Sequence, residues 1–290
     1  MQELAPNVFI ETSFRLVNVG AILTDDGFVL IDTPPYPEDA RYWRDQLAAV
    51  ATKPILAIIN TDGHRDRIFG NGWFNPHVVV AHDETIVQLE NLPNTFIEAT
   101  VDTLTHNALG RSSFAGIHLN LPTVGFTYKM QLRYGNWTIP LLSMPGPSTG
   151  SLWVHLPEQR VLFVGDSVIT DQHPLITSSC TKAWLENLSV LRRARFAADY
   201  IVPGRGPIVD KSATEPISNY LRIARRRVQS LHRVGRPRAD TSTLVPELLD
   251  LFPYEEQDLE QVQRRIKGSL DRIYEEFKLL DHEDDDPLEE

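Results

Sequence analysis

Apolar residues come first in short runs rich in β-branched side chains, broken by polar clusters, and towards the end of the chain at helical spacing. Residues 8–12, 16–23 and 28–32 read as consecutive strands, with Asp25-Asp26-Gly27 as a hairpin turn between the second and third. Asp32-Thr-Pro-Pro breaks the sheet, and residues 38–50 read as a helix with Tyr42, Leu47 and Val50 apolar. Residues 55–59 are long enough for a buried strand and too short for a helix. Residues 78–81 repeat that pattern and lead into a short helix from Asp83 towards Leu89. Strands alternating with helices predict helices packed on a sheet. Residues 92–126 sustain neither period and are expected to form an irregular insertion or lid.

Strands resume at 128–134, 137–142, 152–155 and 161–164, with turns at Gly135-Asn136 and Pro157-Glu158. Residues 182–196 fit a helix with Trp184, Leu188 and Leu191 on one face, and 200–203 read as a last strand. From Thr214 the pattern is helical. Ile217, Leu221 and Ile223 open one helix, and Leu259, Val262, Ile266, Leu270, Ile273, Phe277 and Leu280 mark the stripe of another. Arg222, Arg225, Arg226 and Arg227 read as a solvated face of the first.

Composition narrows the classes. A net charge of -11 lacks the basic footprint that nucleic-acid binding needs, so no nucleic-acid partner is expected. Cys180 is the only cysteine, which excludes an intrachain disulfide framework and a cysteine-based zinc site. No secretory segment stands near Met1, and no apolar run approaches the ~20 residues of a membrane span. The expectation is a cytoplasmic protein with no membrane partner. Asp281-His-Glu-Asp-Asp-Asp-Pro-Leu-Glu-Glu290 reads as a disordered acidic tail.

The chemistry gathers after the strand at 55–59, in Asp62-Gly-His64-Arg-Asp66-Arg67, a polar cluster where an α/β protein usually places its site. This layout resembles the metallo-β-lactamase superfamily, whose signature is His-x-His-x-Asp-His. Here the first His is Asp62 and the last is Arg67. Further motifs follow in the family's order. Asp32 after Val29-Leu-Ile matches the structural Asp beside the metal motif, and Leu162-Phe-Val-Gly-Asp166 matches the strand delivering the bridging Asp. Pro145-Gly-Pro147-Ser-Thr-Gly-Ser151 resembles the Pro-Gly-His turn with Pro147 in place of the His. Ile201-Val-Pro-Gly-Arg205-Gly-Pro207 resembles Val-Pro-Gly-His-Gly-Pro with Arg205 in place of the last His.

The resemblance implies an α/β (α+β) chain folded as an αββα four-layer sandwich with extra C-terminal helices. It implies a main domain over 1–235, a helical extension packed on it over 236–280, and the tail at 281–290. One metal position of the family corresponds to Asp62, His64 and Pro147, the other to Asp66, Arg67 and Arg205, with Asp166 shared. Arginine stays protonated, with a pKa above about 12, and cannot ligate a cation. The second position therefore reads as lost. Arg67 and Arg205 are expected to neutralise Asp66 and Asp166 where that ion would sit.

Two functional readings follow. In the first, the site holds no metal cofactor, is hydrolytically inactive or altered, and binds an anionic small molecule through Arg67, Arg205 and His173 beside Asp66, the candidate catalytic residue. In the second, Asp62, His64 and Asp166 hold one divalent ion, and the chain is a mononuclear hydrolase of an ester, thioester or phosphoester. The oxygen-rich ligand set favours manganese, iron or magnesium over zinc. His82 reads as a surface residue at a helix start, Cys180 as a small packed thiol, and Ser148 and Ser151 as turn residues. Apolar faces on the last helices could pair two copies as a homodimer.

Overall fold

The computed structural model describes residues 1–177 and 180–285. The chain forms two compact units, each assembled from separate segments. The first comprises Met1–Ser143, Gly150–Gly165 and Ala197–Asp210; the second comprises Met144–Thr149, Asp166–Phe196 and Lys211–Glu290.

Both sheets belong to the first unit. Strands β1 (Gln2–Ala5), β2 (Val8–Glu11), β3 (Val19–Leu23), β4 (Phe28–Ile31), β5 (Ile55–Ile59), β6 (Val78–His82) and β7 (Val124–Phe126) form one sheet in sequence order. Its first four strands are antiparallel, and β4 to β7 are parallel. Strands β8 (Lys129–Tyr134), β9 (Trp137–Ser143), β10 (Leu152–Leu156), β11 (Val161–Gly165) and β12 (Tyr200–Pro203) form the other, in the order β12-β11-β10-β9-β8, with β11 and β12 parallel.

Alternation along the strands builds the layers, because successive side chains leave opposite faces of a sheet. Val8, Ile10, Val29, Ile31 and Ile59 point into one core with Ile139, Leu141, Val154, Phe163 and Val202 of the second sheet. Phe9, Phe28, Leu30 and Ile58 point the other way. There they meet Ala40, Trp43 and Leu47 of helix α1 (Pro37–Val50). The buried side of α1 is thus Ala40, Trp43 and Leu47, while the apolar Tyr42 and Val50 are exposed. The short α2 (Arg65–Ile68) runs into a 3-10 turn, Phe69–Trp73, before β6.

Between β6 and β7 lie α3 (Asp83–Glu90), α4 (Phe96–Leu104) and α5 (Ala108–Ser113). The stretch expected to be irregular thus contains two short helices, α4 and α5. They hid because α4 buries only Thr100 and Val101, and α5 buries nothing, so neither helix writes a long stripe. Val101 and Phe114 pack on Phe69 as a small separate core.

The second unit is helical. It contains α6 (Thr181–Arg192), α7 (Thr214–Arg233), α8 (Val245–Leu249) and α9 (Leu259–Asp285). Trp184, Leu188 and Leu191 are the buried face of α6, and Ile266, Leu270, Ile273 and Phe277 that of α9. Arg225 leaves the solvated row expected of α7 and pairs with the buried Glu276 of α9. The acidic stretch 281–290 begins as helix, to Asp285; residues 286–290 lie outside the described residues. Among the described residues no helix is long and apolar enough to cross a membrane.

Candidate metal centre

Parallel strands β4 and β5 end side by side, and each passes directly from apolar to polar residues. At the end of β4, Asp32 takes a left-handed backbone (φ 53°) while its amide still donates to the Ile59 carbonyl (2.9 Å). That turn aims its carboxylate across the strand ends. Oδ1 accepts from the Thr61 amide at 2.8 Å, and Oδ2 accepts from Thr61 Oγ1 at 2.6 Å and Arg67 Nη1 at 3.2 Å.

Beyond β5, Asp62 and His64 precede α2. Asp62 Oδ1 accepts from the His64 amide at 2.9 Å, with His64 Nδ1 also 2.9 Å away and Arg67 Nε at 3.2 Å. Arg67 is therefore a bridge between two carboxylates, and its side chain has no solvent exposure. Its backbone is held as well. The Arg67 carbonyl accepts from Asn60 Nδ2 at 3.1 Å and lies 3.0 Å from Thr33 Oγ1. Asn71 completes the clamp, donating to Asn60 Oδ1 at 2.8 Å and to the Asn120 carbonyl at 3.1 Å.

Arg205 lies in the turn after β12 and pairs with Asp66 of α2. Asn18 pins that turn: its Nδ2 donates to the carbonyls of Pro203 (2.9 Å) and Gly206 (2.7 Å), and its amide to that of Gly204 (2.8 Å). The Arg205 side chain keeps 26% exposure, against none for Arg67. One arginine is internal; the other faces solvent in part.

The electrostatics follow from burial and neighbours. Burial pushes the Asp32 carboxyl up to about 6, against the pull of the Arg67 charge and helped by the negative Asp62. Burial would raise Asp62 too, but the His64 and Arg67 charges outweigh it and hold Asp62 well below the usual carboxylate range. Asp62 is thus the permanent anion of the pair.

Gly165, the last residue of β11, also has a left-handed backbone (φ 53°), and a Cβ there would lie 2.8 Å from Thr61 Oγ1 and 3.9 Å from Asp62 Oδ2. The close approach requires glycine. The next residue in the chain is Asp166. Asp62, His64 and Asp166 form a group of three side chains able to offer ligand atoms to one metal ion.

A two-metal centre does not fit these residues. Arg67 and Arg205 stand where the resemblance puts two of the ligands, and neither guanidinium can give up its proton to bind an ion. Pro147 offers no side-chain donor at a third; its carbonyl accepts from the Thr177 amide at 2.9 Å. One ion does fit: two carboxylates and an imidazole leave further coordination positions to water. Arg205 pairs with Asp66 as expected, and Arg67 also reaches two acids that the motifs did not assign to it, Asp32 and Asp62.

His173 belongs to the second unit, where Tyr220 and Phe252 pack edge-on to its ring. His82 is buried rather than a surface residue. Its Nδ1 accepts from the Glu84 amide to cap α3, and its Nε2 lies 2.8 Å from the Thr127 carbonyl and 2.9 Å from Ser143 Oγ. Cys180 Sγ donates to the Gly146 carbonyl at 3.1 Å. The clamp of Thr33, Asn60 and Asn71 went unread in the sequence. Its signal was polar residues following buried strands without a break.

Comparison with known proteins agrees with this architecture. The sequence pattern of the metallo-beta-lactamase superfamily matches residues 12–205, and the chain belongs to that superfamily. Among solved structures, a metallo-beta-lactamase family protein from Thermus thermophilus is 19% identical with a TM-score of 0.65, covering 97% of this chain and 95% of its own. The stereoselective inverting sec-alkylsulfatase of a Pseudomonas species is 14% identical with a TM-score of 0.69, covering 99% of this chain and 52% of its own. A metallo-beta-lactamase from Pontibacter korlensis is 19% identical with a TM-score of 0.58, covering 76% of this chain and 97% of its own. At these identities the likeness is one of fold.

Proposed function

We propose that this chain is a mononuclear member of its superfamily: one divalent cation held by Asp62, His64 and Asp166, with arginine in place of the second ion. The grouping of those three side chains carries the reading. Charge supports it. In the first unit the carboxylates of Asp32, Asp62 and Asp66 face the guanidiniums of Arg67 and Arg205, and Asp166 follows Gly165 as a further acid. The acids outnumber the permanent cations, so a dication lowers the electrostatic cost of the site.

Bound there, the ion would supply an acidified water for hydrolysis of a small-molecule ester, thioester or phosphoester. The protein's own residues have separate tasks. Arg67 holds Asp62 ionised and oriented. Asp66 orients Arg205, whose partly exposed guanidinium is the group to receive a negatively charged oxygen of the substrate. The test is turnover of p-nitrophenyl acetate, a thioester and p-nitrophenyl phosphate by chelator-stripped protein refilled with manganese, iron, magnesium or zinc. Metal-dependent turnover that disappears in His64→Ala supports the proposal; turnover indifferent to metal and to that substitution overturns it.

A second reading, a metal-free site that binds an anionic small molecule, draws on one specific observation. Asp62 Oδ1 already has the His64 amide, His64 Nδ1 and Arg67 Nε within 3.2 Å, leaving that oxygen little capacity for an ion. Under this reading His64 is protonated, and phosphate or a carboxylate binds at Arg205 with no metal present.

A further inference from the structure

The second unit contains a cavity of about 480 Å³ outside the superfamily motifs, formed by the segment around Asp171 to His173 and by residues from Pro253 to Arg265. Its lining includes Asp171, Glu255, Asp258, Tyr254 and Arg265. With three acids and one base the cavity is negative. An acidic rim alone marks nothing, since solvated carboxylates are common on a chain of net charge -11.

The inner wall makes the difference. His173 lines the cavity and is only 2% exposed, and among the described residues neither of its ring nitrogens has a partner within hydrogen-bond distance and angle. The Leu249 and Phe252 backbones favour its protonated form. The adjoining Tyr220, its ring 6.0 Å from that of His173, is 1% exposed, and its hydroxyl has no hydrogen-bond partner among the described residues either. Leaving a buried polar group unsatisfied costs about 1–3 kcal/mol, so two such groups side by side, one of them lining the cavity, are unusual. The backbone at the mouth is set rather than loose. Arg265 Nη1 donates to the His173 carbonyl at 3.4 Å, and Asp171 takes a left-handed conformation (φ 55°).

We propose that this cavity binds a small organic cation, with an ammonium or guanidinium group among Asp171, Glu255 and Asp258 and a polar atom hydrogen-bonded to the His173 ring. The neutral imidazole can donate from one nitrogen and accept on the other. Tyr254, 41% exposed, offers an aromatic face to the cation. The size suits a ligand no larger than a modified amino acid or a short polyamine.

The test uses the full chain with agmatine, choline and spermidine as probes and succinate as the anionic control. Binding is read by calorimetry and by the His173 ring nitrogen resonances. At least one of the three cations binds one per chain and moves those resonances, whereas succinate does neither. Affinity falls by about tenfold or more both in His173→Phe and in the double variant Glu255→Gln/Asp258→Asn. The double variant alters exposed side chains only and keeps the test valid if His173→Phe fails to fold. No binding of any of the three cations overturns the proposal. So does binding that leaves the His173 resonances in place or survives the double variant, because that is general attraction to an acidic protein. His64→Ala leaves cation binding unchanged, which separates this cavity from the metal site.

Discussion

Arg67 Nε lies 3.2 Å from Asp62 Oδ1, and the Arg67 side chain has no contact with solvent. The guanidinium also reaches Asp32 Oδ2 at 3.2 Å, so one internal cation compensates two internal acids. Its removal is expected to be more damaging than removal of any surface charge. Arg67→Leu strands both carboxylates, and breaking a buried pair costs about 3–5 kcal/mol. Denaturant unfolding measures it. A loss below about 1 kcal/mol would show that the bridge does not hold the strand ends together.

Gly165 is expected to tolerate no side chain. Gly165→Ala forces alanine into the left-handed region, at about 1–2 kcal/mol, and sets a Cβ 2.8 Å from Thr61 Oγ1. Because Asp166 follows directly, the variant should lose metal affinity beyond its loss of stability. Calorimetric titration of folded variant with manganese separates the two, and unchanged affinity would argue that Asp166 is not a ligand.

Glu276 ties α9 to the start of α6. Its carboxylate accepts from the Thr181 amide at 3.1 Å, the Lys182 amide at 3.0 Å and Arg225 Nη1 at 2.6 Å. It thus satisfies amides that a helix start leaves open, although it is remote in sequence. Glu276→Gln should cost about 1.5–3 kcal/mol, the value of hydrogen bonds to a charged group. Hydrogen exchange at Thr181 and Lys182 should speed up more than at the centre of α6; uniform change along α6 would contradict the capping role.

Acidification should weaken the protein through His173. Burial holds its imidazole below the ordinary value, helped by the Arg265 charge. Below about pH 6.5 the unfolded chain binds this proton before the folded one does. The contribution is therefore complete above that value and is lost as pH falls towards the folded pKa. Asp32 acts in the opposite sense: raised to about 6, it keeps its proton in the fold longer than in the unfolded chain, and its destabilising effect fades as pH drops. Subtracting the stability–pH curve of His173→Phe from that of the parent isolates the histidine. A flat difference between about pH 7.5 and 5 would contradict its lowered pKa.

Much of the architecture was legible because burial on both faces writes unbroken apolar runs. Ile55–Ile59, between two parallel neighbours, is the clearest case, and Ile266, Leu270 and Ile273 do the same at helical spacing. In α1 the apolar positions alone did not mark the buried face, since of the adjacent aromatics Trp43 turns inward and Tyr42 outward. The helices at Phe96–Leu104 and Ala108–Ser113 bury too little to leave a period. In the site, motif order placed Asp62, His64 and Arg67 at one strand end, but it could not say which acid Arg67 would reach. Thr33 and Asn60 hold the Arg67 carbonyl, and Asn71 is hydrogen-bonded to both of them, an arrangement no periodicity announces.

The central claim is one metal position kept and one replaced by arginine, and elemental analysis tests it most directly. Protein purified without chelators or metal-affinity resin should carry one divalent transition metal or magnesium ion per chain, and His64→Ala should carry essentially none. Two ions per chain would contradict the account, since with Arg67 and Arg205 in place the second position keeps only Asp66 and the shared Asp166. None per chain, after exposure to manganese, iron, magnesium and zinc, would contradict it as well and leave the anion-binding reading standing.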